Sequence, residues 1–91
     1  MQEVLSRTKD TQVPLKEQEY YELRLDDIVS TTGTRFRFGE AHASWSEIDR
    51  QMMWDSMPNE EFATLEDARR RYDERRAALA KRGYIYSDMD F

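Results

Sequence analysis

The chain contains no cysteine, three glycines, two prolines and a single histidine in 91 residues. Without cysteine it can form no disulfide framework, no thiol nucleophile and no thiolate metal site. The glycines are too scattered for a phosphate-binding loop or a dinucleotide-binding fingerprint. No hydrophobic run is long enough for a membrane span, and the N-terminus lacks the apolar core of a secretion signal. We therefore predict a cytoplasmic protein with no membrane partner and no cofactor.

Residues for catalysis are equally scarce. His42 is the only histidine, and a strand would place it on the same side as Glu40, as an acid–base pair or half of a metal site. Two ligands do not make a zinc site, and no second histidine is present. Paired acids lack the loop spacing of a calcium site and are better explained by solubility; they are Asp26 and Asp27, Glu60 and Glu61, and Asp88 and Asp90. The sequence predicts no enzyme, no catalytic residue and no metal site.

Charge is abundant and unevenly distributed. The chain is 38% hydrophobic and 36% charged, with a net charge of −5. Residues 65–82 contain seven basic and four acidic residues, a net charge of +3, so the other 73 residues carry −8. A chain of this length forms one domain with a small core. The sequence thus predicts a basic segment within an acidic protein.

Residues 65–82 have the pattern of an amphipathic helix. Thr64 is a candidate N-cap, Asp67 follows three residues later, and Gly83 is a stop signal after the basic last turn. We predict a helix from Leu65 to Arg82. Its apolar stripe, which another element must cover, comprises Leu65, Ala68, Tyr72 and Leu79, with the stem of Arg76 beside it.

The preceding residues predict an antiparallel sheet. Residues 19–29 and 34–44 alternate apolar and polar side chains and are separated by the turn sequence S-T-T-G, which indicates a hairpin with Phe36 and Phe38 facing inward. Residues 45–58 fit both a helical and a strand period. We favour a turn at 45–47 and a strand at 48–57, which would complete a three-stranded meander.

The predicted domain spans residues 19–86, preceded by a flexible arm at 1–18 and followed by an acidic tail at 87–91. Alternatively, Val13 and Leu15 in the arm add an edge strand or bind a partner. Residues 84–86 are candidates for a short edge strand. The predicted fold class is α+β, with a small antiparallel sheet of three to four strands packed on one long C-terminal helix.

Three stretches together resemble the WGR domain, a small module in which an antiparallel sheet packs on one long helix. They are Y-Y-E-L-R-L at Tyr20–Leu25, R-F-R-F-G-E at Arg35–Glu40, and the helical segment that begins E-F-A-T-L-E-D-A at Glu61 and ends R-G-Y at Tyr84. The resemblance implies a position near nucleic acid or beside the catalytic domains of nucleic-acid enzymes.

The chain departs from this family at its defining triplet. Phe38, Gly39 and Glu40 stand where the family has Trp, Gly and Arg. An acidic third position reverses the charge there, so the resemblance does not imply nucleic-acid contact at that point.

The function predicted from these observations is a non-enzymatic, small acidic interaction module that binds another protein. Aromatic residues and methionine are enriched at interface cores, and an acidic field favours a partner with a basic surface. Two settings fit, a component of a nucleic-acid-processing assembly and a phage-type inhibitor that mimics nucleic acid. The candidate partner-binding residues are Tyr20, Trp45, Met53, Trp54 and Met57.

A nucleic-acid-binding module is the alternative. Arginine suits phosphate recognition because its planar guanidinium forms paired hydrogen bonds. The candidate residues on the predicted helix are Arg69, Arg70, Arg71, Arg75, Arg76 and Arg82.

Overall fold

A computed structural model describes residues 1–7 and 14–87. Its five strands and one α-helix are β1 (Gln2–Ser6), β2 (Glu19–Ser30), β3 (Gly33–Ser46), β4 (Gln51–Ser56), β5 (Glu60–Phe62) and α1 (Leu65–Lys81), with a turn of 3-10 helix at Leu15–Glu17. The strands form one antiparallel sheet in the order β1-β2-β3-β4, and β5 pairs with β3 beside β4. The predicted α+β class is confirmed. Within the described ranges, no helix is long and apolar enough to cross a membrane.

The β2–β3 hairpin is the centre of the sheet and confirms the predicted strands and turn. The two strands pair without interruption from Glu19 opposite Ser44 to Ser30 opposite Gly33. Gly33 adopts a φ of +129°, a conformation that side chains disfavour, which explains a glycine where the turn ends. Because side chains alternate between faces, the hairpin presents Tyr21, Leu23, Leu25 and Phe38 to the helix and the residues between them to the second face.

Strand β4 corresponds to the third strand of the predicted meander, but its ends differ from the prediction. Trp45 still belongs to β3, so the predicted turn at 45–47 begins too early, and β4 starts at Gln51 where Ile48 was expected. The Ser46 hydroxyl accepts a hydrogen bond from the Asp49 amide, and Arg50 adopts a φ of 54°. These features close a four-residue turn at 47–50 and leave Ile48 almost fully exposed.

The helix agrees closely with the sequence prediction and ends at Lys81. The Thr64 hydroxyl accepts a hydrogen bond from the Asp67 amide at 3.2 Å, and Gly83 adopts a φ of +90° after the last turn. Ala68, Tyr72 and Leu79 are buried against the sheet, where the Phe38 and Tyr72 rings meet edge to face at 6.2 Å between centroids. Leu65, expected in the same stripe, is half-exposed because it lies at the helix end.

The N-terminal residues form a strand, so the predicted flexible arm is wrong for residues 2–6. β1 pairs with β2 from Gln2 opposite Arg24 to Ser6 opposite Tyr20. Leu5 enters the core under the helix, and Val4 is buried on the opposite face with Tyr20 and Ala43. Val4 and Leu5 are adjacent and both apolar because each is buried on its own face of the sheet. The strand therefore lacks the alternation of apolar and polar residues that a half-exposed strand shows.

Two further predictions concern the chain ends. Val13, one of the two residues considered for an edge strand, and residues 88–91 of the acidic tail lie outside the described residues. Tyr86 does pair with Ser6 at the edge of β1, through an isolated bridge, as expected for residues 84–86. The edge of the sheet beyond β1 is therefore partly covered by the chain that follows the helix.

Candidate protein-binding surface

Strand β4 and the residue after it carry three large apolar side chains that are exposed. The exposed fractions of Met53, Trp54 and Met57 are 40%, 38% and 49%. We call these three residues the β4 surface. The strand itself is held in place by the second half of β3, with six consecutive pairs from Ser46 opposite Gln51 to Ala41 opposite Ser56.

The β4 surface wraps around both faces of the strand. Trp54 lies opposite Ala43 and Met52 opposite Trp45, on the face away from the helix. Met53 and Met57 lie on the other face by the period of two, and Met57 lines a cavity that Arg71 and Arg75 of the helix also line. An incoming protein can therefore contact apolar atoms on both sides of the edge of the sheet.

Tyr20 and Trp45, the other two residues predicted for partner binding, are less accessible. Tyr20 is only 9% exposed, packs with Val4 and Ala43, and donates its hydroxyl hydrogen to the Gln18 side chain. The expectation that Tyr20 is exposed is wrong, because β1 pairs beside it. Trp45 is half-buried. The structure thus brings Met53, Trp54 and Met57 together at one edge and leaves Tyr20 in the interior.

The β4 surface lies in an acidic stretch of the domain. Residues 47–61 contain five acidic residues and one basic residue, a net charge of −4. Glu60 and Glu61 form ion pairs with Arg71 and Arg35. Within the described part of the chain, Asp55 forms no ion pair, and neither do Glu47 and Asp49 in the turn before β4.

Two arginines of the helix, Arg75 and Arg76, each bind an acidic partner from the sheet. Arg75 binds both oxygens of Glu40 at 2.7 and 3.0 Å, and Arg76 binds both oxygens of Glu3 at 2.9 and 3.1 Å. These contacts raise the pKa of both guanidinium groups, and the Arg76 hydrogen bonds hold the pKa of Glu3 below its usual value against the opposing effect of burial.

The remaining candidate arginines differ in their contacts. Arg71 binds Glu60 and Glu74, and Arg70 binds Glu66 and Asp67. Arg82 lies over the rings of Tyr21 and Tyr84 and donates to the Tyr21 hydroxyl at 3.4 Å. Arg69 is exposed and forms no ion pair with the residues that the structure describes. Five of the six candidate arginines thus form ion pairs or ring contacts with other residues of the domain.

His42 does not pair with Glu40, so the acid–base pair considered from the sequence is not formed. Its Nε2 atom lies 2.6 Å from Glu19, which also accepts a hydrogen bond from the Tyr84 hydroxyl at 2.7 Å. Burial opposes ionisation of Glu19, but the hydrogen bonds from Tyr84 and His42 outweigh it and lower its pKa. Burial and Glu19 together raise the pKa of Tyr84 to about 12.

Sequence reasoning missed Glu19, and no local signal marks it. Glu19 opens β2, whereas its partner Tyr84 lies beyond the helix and Arg7 beyond β1. Glu19 thus links Arg7 after β1, His42 in the sheet and Tyr84 after the helix in one polar network. In the described residues, no group of three or more His, Asp or Glu side chains is arranged to hold a metal ion.

Comparison with known proteins adds no relative. No protein-family model matches the chain, and no curated protein and no solved structure matches it. The resemblance to the WGR domain stays a hypothesis.

Proposed function

We propose that this chain is a non-enzymatic, acidic interaction module that binds another protein through the β4 surface. The observation that carries the proposal is the exposure of Met53, Trp54 and Met57 together at one edge of the sheet, in a stretch of net charge −4. Large apolar side chains clustered on a small, highly charged protein are favoured at sites of association, because a partner removes them from water.

Charge favours a partner with a basic surface. The carboxylates of Glu47, Asp49 and Asp55 lie around the β4 surface and have no cationic partner in the described part of the chain. Such charges accelerate encounter with a basic protein and disfavour an acidic one. The apolar residues then supply the buried contact that holds the complex together.

The proposed setting is a nucleic-acid-processing assembly, in which the module contacts or blocks a face that otherwise holds phosphates. Proteins that bind nucleic acid present basic surfaces, and an acidic protein with apolar anchors is complementary to such a face. The resemblance to the WGR domain supports the same setting. Glu40, at the third position of the family triplet, is engaged by Arg75 and is not offered to a ligand.

The contacts of the helix oppose the alternative of direct nucleic-acid binding. Phosphate recognition requires cations that are free to replace counterions. Arg75 and Arg76 each donate from Nε and Nη2 to the two oxygens of one carboxylate, and Arg71 is shared between two acids. Each paired carboxylate neutralises the positive charge that would attract a phosphate.

The proposal is tested with three matched baits: the unaltered protein, Trp54→Ala, and Val29→Ala as a control at an exposed apolar residue far from β4. Proteins from the native cell that the first and third baits retain and Trp54→Ala loses are purified, and their affinities are measured by calorimetry. We expect a basic protein whose affinity falls at least about tenfold with Trp54→Ala, the loss typical of an interface anchor. A partner that binds all three baits equally would overturn the assignment of this surface.

A further inference from the structure

Strand β4 has an open edge. One side of it pairs with β3, and in residues 1–7 and 14–87 no strand pairs with the other side. The opposite edge of the sheet differs, because Tyr86 pairs with Ser6 of β1. An open edge presents a row of amide and carbonyl groups that can pair with another extended chain.

The register identifies the groups that face outward. The Met57 amide donates to the Glu40 carbonyl at 2.9 Å, which makes Met57 and Glu40 a hydrogen-bonded pair. Because these pairs alternate in an antiparallel ladder, Met53 and Asp55 also direct their backbone groups toward β3. The amides and carbonyls of Met52, Trp54 and Ser56 therefore point away from the sheet.

Nothing in β4 protects this edge. Protected edges carry lysine, proline or a bulge that prevents pairing. Residues 51–56 include no lysine and no proline, and their six pairs with β3 proceed without a bulge. The one charged side chain on the strand is Asp55, which is exposed.

We propose that the partner adds an extended segment to the open edge of β4, and that this segment alternates apolar and basic residues. Its apolar side chains would lie beside Met52 and Trp54 on one face, and its Lys or Arg side chains beside Asp55 on the other. Main-chain hydrogen bonds give affinity in this mode, and alternate side chains give specificity. This inference rests on the proposed function and specifies how the β4 surface is used.

A second copy of this chain is the less suitable occupant. Pairing two β4 strands would bring together the carboxylates of Glu47, Asp49 and Asp55, which form no ion pair with the described residues, from both copies. Like charges across neighbouring strands are destabilising. A basic segment relieves this repulsion, whereas self-association increases it.

The test uses a synthetic peptide, acetyl-Lys-Val-Lys-Val-Lys-Val-amide, added to the full ¹⁵N-labelled chain at about 0.15 M salt. We expect shifts and slower hydrogen exchange at the outward amides of Met52, Trp54 and Ser56. The inward amides of Met53 and Asp55 are already paired with β3, so their exchange should change little. The same peptide with Glu in place of Lys should bind at least about tenfold more weakly. Equal binding of both peptides, or shifts away from β4, would overturn the inference.

A proline variant separates edge pairing from side-chain contact. Ser56→Pro removes an outward amide and leaves every inward hydrogen bond in place, a position that edge strands tolerate. Ser56→Ala is the matched control, because it removes only the hydroxyl. We expect Ser56→Pro to weaken the Lys-Val peptide about tenfold and Ser56→Ala to bind it like the unaltered protein. The remainder of the ¹⁵N spectrum reports whether each variant is folded.

The outcomes distinguish this inference from the proposed function. If Ser56→Pro binds the peptide and the purified partner as tightly as the unaltered protein while Trp54→Ala does not bind the partner, edge pairing is wrong and the β4 surface stands. If the partner binds Trp54→Ala as tightly as it binds the unaltered protein, the proposed function of the β4 surface is wrong. Loss of binding in both Ser56→Pro and Trp54→Ala, with Ser56→Ala unaffected, supports both.

Discussion

At the scale of single residues, the Glu40–Arg75 pair is the strongest polar contact between the helix and the sheet. Glu40 is 7% exposed and both of its oxygens accept hydrogen bonds from Arg75. From the sequence alone, Glu40 is an acidic residue on the same side of a strand as Phe38 and His42, with no partner indicated. The structure explains it as the partner of a cation that lies 35 residues later in the chain, a pairing that no local pattern can reveal.

Glu40→Gln should destabilise the fold by about 2 kcal/mol, because Arg75 loses its counter-charge in a partly buried site. The loss is smaller than for a fully buried pair since Arg75 keeps some access to water. Urea unfolding followed by circular dichroism measures it. Glu66→Gln is the control: Glu66 pairs with Arg70 at an exposed site, and its loss should cost less than about 0.5 kcal/mol. Equal effects of the two substitutions would contradict this account.

At the scale of elements, the first turn of α1 depends on its cap. The Thr64 hydroxyl satisfies the Asp67 amide, whereas the Asp67 side chain turns to Arg70 and does not complete a reciprocal box. Thr64→Ala should therefore reduce the free energy of unfolding by about 1 kcal/mol, and Thr64→Ser should retain most of it. Thermal unfolding of the two variants checks this, and a Thr64→Ser variant as unstable as Thr64→Ala would show that the hydroxyl is not the stabilising group.

The elements that the sequence predicted are those whose signals are local. Caps, dipole-compatible charges and a glycine marked α1, and alternation with a turn sequence marked β2 and β3. β1 escaped prediction because Val4 and Leu5 are buried on opposite faces, so its pattern does not alternate. β5 was not predicted because its three residues are too few to show an alternation of apolar and polar side chains.

The candidate surface was predictable only in part, for a related reason. Residue type was enough to suggest Met53, Trp54 and Met57, because aromatic residues and methionine are enriched at interface cores. Tyr20 is likewise a large side chain on a predicted strand, yet it is buried because β1 pairs beside it. Exposure depends on which strand lies next in the sheet, and that order is set by the whole fold.

At the scale of the whole molecule, the segregated charge of the sequence becomes a set of contacts between the helix and the sheet. The basic helix lies on an acidic body, and Glu3, Glu40 and Glu60 each neutralise one of its arginines. A basic segment in the sequence is therefore not a basic face in the fold. Around β4, Glu47, Asp49 and Asp55 form no ion pair with the residues that the structure describes, so this part of the surface keeps its negative charge.

This arrangement predicts that the isolated protein binds nucleic acid weakly. With a net charge of −5 and four of the five arginines of α1 paired with acids, it should bind a fluorescein-labelled DNA duplex with a dissociation constant above about 100 µM at 0.15 M salt, as measured by fluorescence anisotropy. The double variant Glu3→Gln, Glu60→Gln leaves Arg76 without an acidic partner and Arg71 with Glu74 alone, and it should bind more tightly, with a steeper dependence on salt. Micromolar affinity of the unaltered protein, with a salt dependence that Arg76→Ala reduces, would instead show that phosphate competes successfully with Glu3 and that the helix is the functional face.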